Sequence, residues 1–300
     1  MKNPIDIPDA ILITGPTAGG KSALALKLAR EAGGVVINAD SMQVYDTLRV
    51  ITARPSEDEM EGVPHHLYGH VPAIRSYSTG EWLRDVTALL ADLRRNGRLP
   101  VFVGGTGLYF KALTGGLSDM PEISQDVRCR VRLRLKEEGA EVLHAELARR
   151  DQPMAEALER QDGQRIVRAL EVLEETGRSI REFQDRPGPM VIDPSRAKKI
   201  VVLPERPVLA KRIDRRFEIM LDTGAIDEVR ALNSLSPPAD APVMKAIGVA
   251  QITEMLAGRM ERGQVIERGS ALTRQYAKRQ MTWFRNQMDE SWERIDPATL

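Results

Sequence analysis

Ala10–Ala32 reads AILITGPTAGGKSALALKLAREA, and this stretch decides the fold. Ala10–Thr14 is a short apolar run rich in β-branched residues, which predicts a buried strand. Gly15-Pro16 ends it. From Lys21 onward Leu24, Leu28 and Ala32 recur at spacing four, predicting an amphipathic helix stopped by Gly33-Gly34. Between the two lies Gly15-Pro16-Thr17-Ala18-Gly19-Gly20-Lys21-Ser22, which fits G-x-x-x-x-G-K-[ST] in the strand–loop–helix setting that the motif requires. Glycines let successive backbone N–H groups turn inward into a nest for an anion, and the helix adds the positive end of its dipole. Lys21 brings a point charge to a terminal phosphate, and Ser22 offers an oxygen to Mg²⁺.

Outward from this loop the alternation continues. Val35-Val36-Ile37 predicts a second buried strand, completing a βαβ unit. Trp82–Arg95 carries Leu83, Val86, Leu89, Leu90 and Leu93 on one helical face, Asn96-Gly97 stops it, and Val101-Phe102-Val103 predicts a third strand. Such alternation implies a parallel sheet with helices on both faces. Near Asp119 the pattern changes, and Gln125 to Gln184 reads as helices only: Val127, Val131 and Leu135, then Leu143 and Leu147, then Ile166, Leu170 and Leu173. Arg186-Pro187-Gly188-Pro189 breaks the run, Lys199–Pro204 returns to strand, and Pro207–Asn286 is helical again. The expected fold is therefore α/β, a P-loop NTPase-like parallel sheet flanked by helices, with an all-helical insertion domain. The expected boundaries are 1–124 for the first part of the core, 125–189 for the insertion and 190–300 for the rest of the core with C-terminal helices.

The bulk properties exclude several classes. The 300 residues are 42% hydrophobic and 29% charged, and no apolar run reaches the length of a membrane span. Met1–Asp9 lacks the apolar centre of a signal peptide. A single cysteine, Cys129, rules out an intramolecular disulfide and a cysteine-rich metal site, so a cytoplasmic protein is expected. Net charge is zero, but its distribution is uneven. Arg268, Arg274, Lys278, Arg279 and Arg285 form a stretch without an acid, and Arg206, Lys211, Arg212, Arg215 and Arg216 stand against Asp214 alone. These are either phosphate-neutralising surfaces or ordinary solvated helix faces, and charge alone leaves both open.

The loop calls for a diphosphate or triphosphate, not specifically for a nucleotide. A nucleotide hydrolase or kinase would place an acid at the end of a neighbouring strand. Val101-Phe102-Val103 instead runs into Gly104-Gly105-Thr106, and the first strand-end acid is Asp40. His65, His66 and His70 have no metal-ligand spacing. Trp283 and Phe284 suit either helical core packing or stacking on bases.

Taken together, the residues resemble the tRNA dimethylallyltransferase (tRNA isopentenyltransferase) family, bacterial type, over nearly the whole chain. The resemblance rests on GPTAGGKS at 15–22, NADSMQVY at 38–45, TARP at 52–55, PHHL at 64–67, VGGTGLYFKAL at 103–113 and QRIVRALEV at 164–172. It continues through RIDRRFEIML at 212–221, AIGVAQ at 246–251 and TRQYAKRQMTWFR at 273–285. The ordered set is specific where the loop alone is not. Two positions depart from the family: Gly19 stands where Ser is common, and Ile51 where Gly is common.

The resemblance implies transfer of a dimethylallyl group from dimethylallyl diphosphate to N6 of adenosine 37 in the tRNA anticodon loop; Mg²⁺ is the expected cofactor and a monomer the expected state. Adenine N6 is a poor nucleophile, so a carboxylate against it is expected to take its proton, and Asp40 matches the family's catalytic aspartate. Thr106 and Arg216 are implied to reach the diphosphate, beside Gly15 to Ser22. Without the resemblance Thr106 reads first as a turn residue in a Gly-rich loop, and Arg216 as one charge on a basic helix face. tRNA contacts are implied at Asp40, Ser41, Met42, Gln43, Thr106, Arg128, Gln164, Arg165 and Arg168, around a base turned out of its stack. Two other readings share parts of the pattern. A prenyltransferase for free adenine nucleotide would not need the 125–184 helices or the basic C-terminal helix. A nucleotide-binding switch would need the missing strand-end acid.

Overall fold

The computed structural model describes residues 8–116, 118, 120–185, 188 and 190–299. The expected break at Arg186, Pro187 and Pro189 and the change of pattern at Asp119 therefore lie outside the described residues, as does Met1–Ile7. The chain divides into two compact units, Met1–Thr114 with Val191–Leu300, and Gly115–Met190.

The first unit is built on a six-stranded, all-parallel sheet. In chain order its strands are β1 (Ala10–Thr14), β2 (Val35–Asn38), β3 (His65–His66), β4 (Pro100–Gly104), β5 (Ala197–Val202) and β6 (Glu293–Ile295), and they lie in the order β3-β2-β4-β1-β5-β6. β1 pairs with β4 on one side (Ile11 opposite Val101) and with β5 on the other (Leu12 opposite Lys199). β1 and β2 of the expected βαβ unit are thus not neighbours: β4 lies between them. Asp40 accordingly follows a strand one place in from the sheet edge.

Alternation along the strands feeds two cores. Ile11, Ile13, Val36, Val101, Val103, Ile200 and Val202 pack with Leu24, Ala25 and Ala29 of α1 (Lys21–Glu31). Ala10, Leu12, Val35, Ile37 and Phe102 face the other way. They meet Trp82, Val86, Leu90 and Leu93 of α3 (Thr79–Arg95) and Tyr109 and Phe110 of α4 (Gly107–Gly115). Because both faces are covered, the strands read as continuous apolar runs. α3 begins three residues before the expected Trp82. Ser78 caps it, its hydroxyl accepting from Glu81 N–H at 3.2 Å while the Glu81 carboxylate accepts from Ser78 N–H at 2.9 Å.

A third apolar cluster joins the segment after β2 to the later helices. Val44, Tyr45, Leu48 and Ile51 pack with Phe217, Met220 and Leu221 of α10 (Arg206–Asp222), Val229 and Leu232 of α11 (Ala225–Ser234) and Val249 and Ile252 of α12 (Val249–Leu256). The short α2 (Glu57–Met60) follows the Thr52–Pro55 loop. Ile51, the departure from the family pattern, is buried at 7% exposure and lies over Gly248, where a Cβ would stand 2.7 Å from its Cδ1. Its backbone N–H and that of Val50 donate to the Glu228 carboxylate at 3.0 and 2.7 Å. Ile51 is a core residue.

The second unit contains α5 (Gln125–Glu138), α6 (Ala140–Arg150), α7 (Gln152–Glu156), α8 (Gly163–Thr176) and α9 (Ile180–Gln184) around Val127, Val131, Leu143, Leu147, Ile166 and Leu170. Glu171, buried in that unit, is held by Arg132 at 3.2 Å and Arg168 at 3.5 Å. The long α13 (Arg262–Gln287) returns to the first unit and buries Gly269, Thr273, Ala277, Gln280 and Phe284, a stripe at spacing three and four.

Candidate active site

The loop from Gly15 to Ser22 leaves β1 under tight steric control. At Gly15 (φ +149°) a Cβ would stand 2.3 Å from the Val202 carbonyl oxygen of the adjacent strand, so no side chain fits there. Ala18 (φ 60°) and Gly20 (φ 89°) both take left-handed backbone, which turns successive N–H groups toward one side. A non-glycine residue held this way stores strain of order 1 kcal/mol, which the surrounding loop must sustain. Gly19 N–H donates to Pro16 C=O at 3.1 Å, and a Cβ on Gly19 would sit 2.8 Å from that oxygen. The glycine that departs from the family thus lets the loop close more tightly than serine would.

Lys21 opens α1 and donates from Nζ to the Pro16 carbonyl at 2.7 Å. Desolvation pushes its ammonium down to about 8, against the carboxylate of Asp40, which raises it, while Arg216 lowers it further. Arg216, from α10, donates to Thr17 Oγ1. Burial pushes its guanidinium down to about 10 and Asp40 again opposes the shift, so it stays cationic at neutral pH. Ser22 is exposed in the first turn of α1. Two cations and one anion therefore lie within one another's fields at the C-terminal edge of the sheet, where open α/β sheets place ligands.

Asp40 is set by its neighbours. Its N–H donates to Asn38 Oδ1 at 2.9 Å, and its own Oδ1 accepts from Met42 N–H at 2.9 Å. Asn38, fully buried, donates from Nδ2 to the carbonyls of Asp40 and Leu67, both at 3.0 Å, and its own carbonyl accepts from Trp82 Nε1 at 2.9 Å. Opposite stands the turn after β4. A Cβ on Gly104 would lie 1.9 Å from the Ala39 carbonyl oxygen, and one on Gly107 would lie 2.2 Å from the Trp283 ring. These glycines are needed for space, not for unusual backbone angles. Thr106 N–H donates to Ala39 C=O at 3.2 Å; its hydroxyl accepts from Ser41 N–H at 3.0 Å and donates to Ser41 Oγ at 3.3 Å.

The structure thus brings the loop, Asp40, Ser41, Thr106 and Arg216 together in the first unit. Gln43 spends its amide nitrogen on the carbonyls of Thr52 and Ala53, both at 2.9 Å. Arg128, Gln164, Arg165 and Arg168 belong to the second unit. Arg128, Gln164 and Arg165 are exposed, Arg165 pairing with Asp162 at 3.1 Å. Three tyrosines escaped the sequence reading. Tyr68, Tyr109 and Tyr276 are all held in their neutral form, by burial first and by the Asp40 charge second. Gln280 escaped it too, and it joins two loops. Trp283, half-buried, lies on the Gly107 backbone, and Phe284 is core.

Among the described residues no group of three His, Cys, Asp or Glu side chains is arranged to hold a metal, and no helix is long and apolar enough to cross a membrane. A lone hydroxyl at Ser22 fits a Mg²⁺ that arrives on diphosphate oxygens rather than one held in a protein cage.

A family profile described as "IPP transferase" matches residues 43–287, and another described as "Isopentenyl transferase" matches 8–68. The chain is 70% identical over 297 residues to a tRNA dimethylallyltransferase of Agrobacterium fabrum, covering 99% of this chain and 100% of that one. It is 68% identical over 293 residues to a protein of the same name from Rhizobium meliloti, covering 97% of each. Among solved structures it is similar to a full-length tRNA isopentenylpyrophosphate transferase of Bacillus halodurans. There the TM-score is 0.67 and identity 34%, over 96% of this chain and 89% of the other. A eukaryotic dimethylallyltransferase described as acting on tRNA superposes with a TM-score of 0.81 at 26% identity, over 97% of this chain and 74% of the other.

Proposed function

Since the chain belongs to the IPP transferase family, we propose that it moves a dimethylallyl group from dimethylallyl diphosphate to N6 of adenosine 37 in tRNA anticodon loops. The observation that carries the reading is that Lys21 of the loop and Arg216, bonded to Thr17 of the same loop, both lie within the field of Asp40. Phosphate-facing cations and a carboxylate base are the two requirements of this reaction.

The loop amides, Lys21 and Arg216 hold the diphosphate. As the C1–O bond of the donor breaks, negative charge grows on the leaving diphosphate, and these groups stabilise it where water is scarce. The N6 lone pair forms the new bond to C1, and a proton passes from N6 to the Asp40 carboxylate. Met42 N–H holds one oxygen of that carboxylate, leaving the other to face the amine. Thr106 fixes the backbone that carries Asp40 and Ser41, and approaches the diphosphate. A Mg²⁺ ion bound at Ser22 would neutralise diphosphate charge. Arg128, Gln164, Arg165 and Arg168 contact the tRNA, together with the exposed basic residues of α13. The enzyme acts as a cytoplasmic monomer, and residues 125–189 form its helical insertion.

The reading that uses free adenine nucleotide leaves the exposed arginines of the second unit without a task. The switch reading lacks its strand-end acid, since β4 ends in glycines. Incubation with unmodified tRNA and dimethylallyl diphosphate, followed by nucleoside mass spectrometry, tests the proposal. Dimethylallyladenosine at position 37 supports it; unmodified tRNA beside prenylated free nucleotide contradicts it.

A further inference from the structure

We propose that Gln280 is a positioning residue that locks the phosphate-binding loop to the turn carrying Thr106, so that the diphosphate site and the base site keep one fixed spacing. The inference rests on the function proposed above. Gln280 lies in the buried stripe of α13 at 6% exposure, between Ala277 and Phe284. A polar side chain in such a stripe is costly unless its hydrogen bonds are made. Both ends are bonded: Oε1 accepts from Thr17 N–H at 2.9 Å and Nε2 donates to Gly105 C=O at 2.9 Å.

The partners fix the polarity, since a backbone N–H only donates and a carbonyl only accepts. A primary amide offers one acceptor and one donor on neighbouring atoms, which neither carboxylate nor thioether does. The turn is cut to fit it. A Cβ on Gly105 would lie 2.3 Å from Gln280 Nε2. Each bonded residue is next to or part of the chemistry. Thr17 Oγ1 receives Arg216, and Gly105 precedes Thr106, which holds Ser41. One side chain thus links the leaving-group side of the site to the proton-accepting side.

The test compares Gln280→Met and Gln280→Glu with the natural enzyme. The readouts are KM for dimethylallyl diphosphate, KM for tRNA, the dissociation constant of inorganic diphosphate by calorimetry, and Tm. Gln280→Met keeps the volume and removes both bonds. It should weaken donor and diphosphate about ten-fold while leaving KM for tRNA within about two-fold. Gln280→Glu should be worse for both, because it sets an anion against the Gly105 carbonyl. A Gln280→Met enzyme with lowered Tm but unchanged donor KM and diphosphate affinity would overturn the proposal in favour of plain packing.

Gly105→Ala supplies a second arm. It should impair diphosphate binding in the natural background and cost little more when Gln280→Ala has made room. Equal costs in both backgrounds would also overturn the proposal. Diphosphate calorimetry needs neither tRNA nor turnover, so loss of the prenyl-transfer reading is seen separately, as an inactive natural enzyme that still binds diphosphate.

Discussion

Replacing Asp40 by Asn separates the carboxylate's charge from its part in holding the backbone. In the native site Oδ1 accepts from Met42 N–H at 2.9 Å, and the backbone N–H of residue 40 donates to Asn38. An asparagine keeps both bonds, so the fold of the segment stays in place while the proposed proton acceptor is lost. A positioned general base is worth about 10² to 10⁴ in rate, so kcat should fall by that factor, about 3–5 kcal/mol of transition-state stabilisation.

The same substitution has a second signature. Lys21 sits at about 8, lowered by desolvation and raised by the Asp40 charge. Its cation is present below that value and lost as pH rises through it, so kcat/KM for the donor in the natural enzyme should decline above about 8. Removing the charge at position 40 removes the raising influence, and the alkaline limb must move to lower pH. Single-turnover prenyl transfer across pH 6.5–9.5, about three units spanning the Lys21 transition, reads both effects. An Asp40→Asn enzyme within about ten-fold of the natural kcat, well short of the expected base contribution, or an alkaline limb that does not move, would refute the reasoning.

Three further perturbations act on separate parts. Lys21→Met should raise KM for dimethylallyl diphosphate and the inhibition constant of diphosphate by at least about ten-fold, with KM for tRNA nearly unchanged, as steady-state kinetics will show. Gly107→Ala drives a methyl toward the Trp283 ring, 2.2 Å from its ideal position; overpacking of this kind should cost about 1–3 kcal/mol, read by urea unfolding. Replacing the exposed Arg128 and Arg165 together with Ala should weaken tRNA binding and flatten its salt dependence by about 1.4 in log–log slope, since single strands release about 0.7 counterion per contact, while leaving diphosphate calorimetry unchanged.

The sequence made the phosphate loop and the sheet legible because both are written in local pattern. β1 is an unbroken apolar run, and the loop's glycines, lysine and serine sit at fixed offsets. What it hid lies in long-range contacts or in very short elements. β3 is two histidines, and β6 is Glu293-Arg294-Ile295, too short and too polar to show a period. The insertion of β4 between β1 and β2 follows from pairing, not from any local signal. The sequence does not show what Gly104, Gly105 and Gly107 approach, which is Ala39, Gln280 and Trp283 respectively. Nothing local marks Gln280; its meaning comes from Thr17 and Gly105, 263 and 175 positions away. Whether Ile51 stiffens the loop or sits behind it has no local signal; in the fold it is core packing against Gly248.

The most direct test of the central claim is a crystal structure with an unreactive dimethylallyl diphosphate analogue bound. Its diphosphate should lie on the amides of Gly19, Gly20 and Lys21, within reach of Lys21 Nζ and Arg216, with the prenyl C1 turned toward Asp40. A diphosphate bound elsewhere, or a C1 atom shielded from Asp40 by protein, would contradict the account.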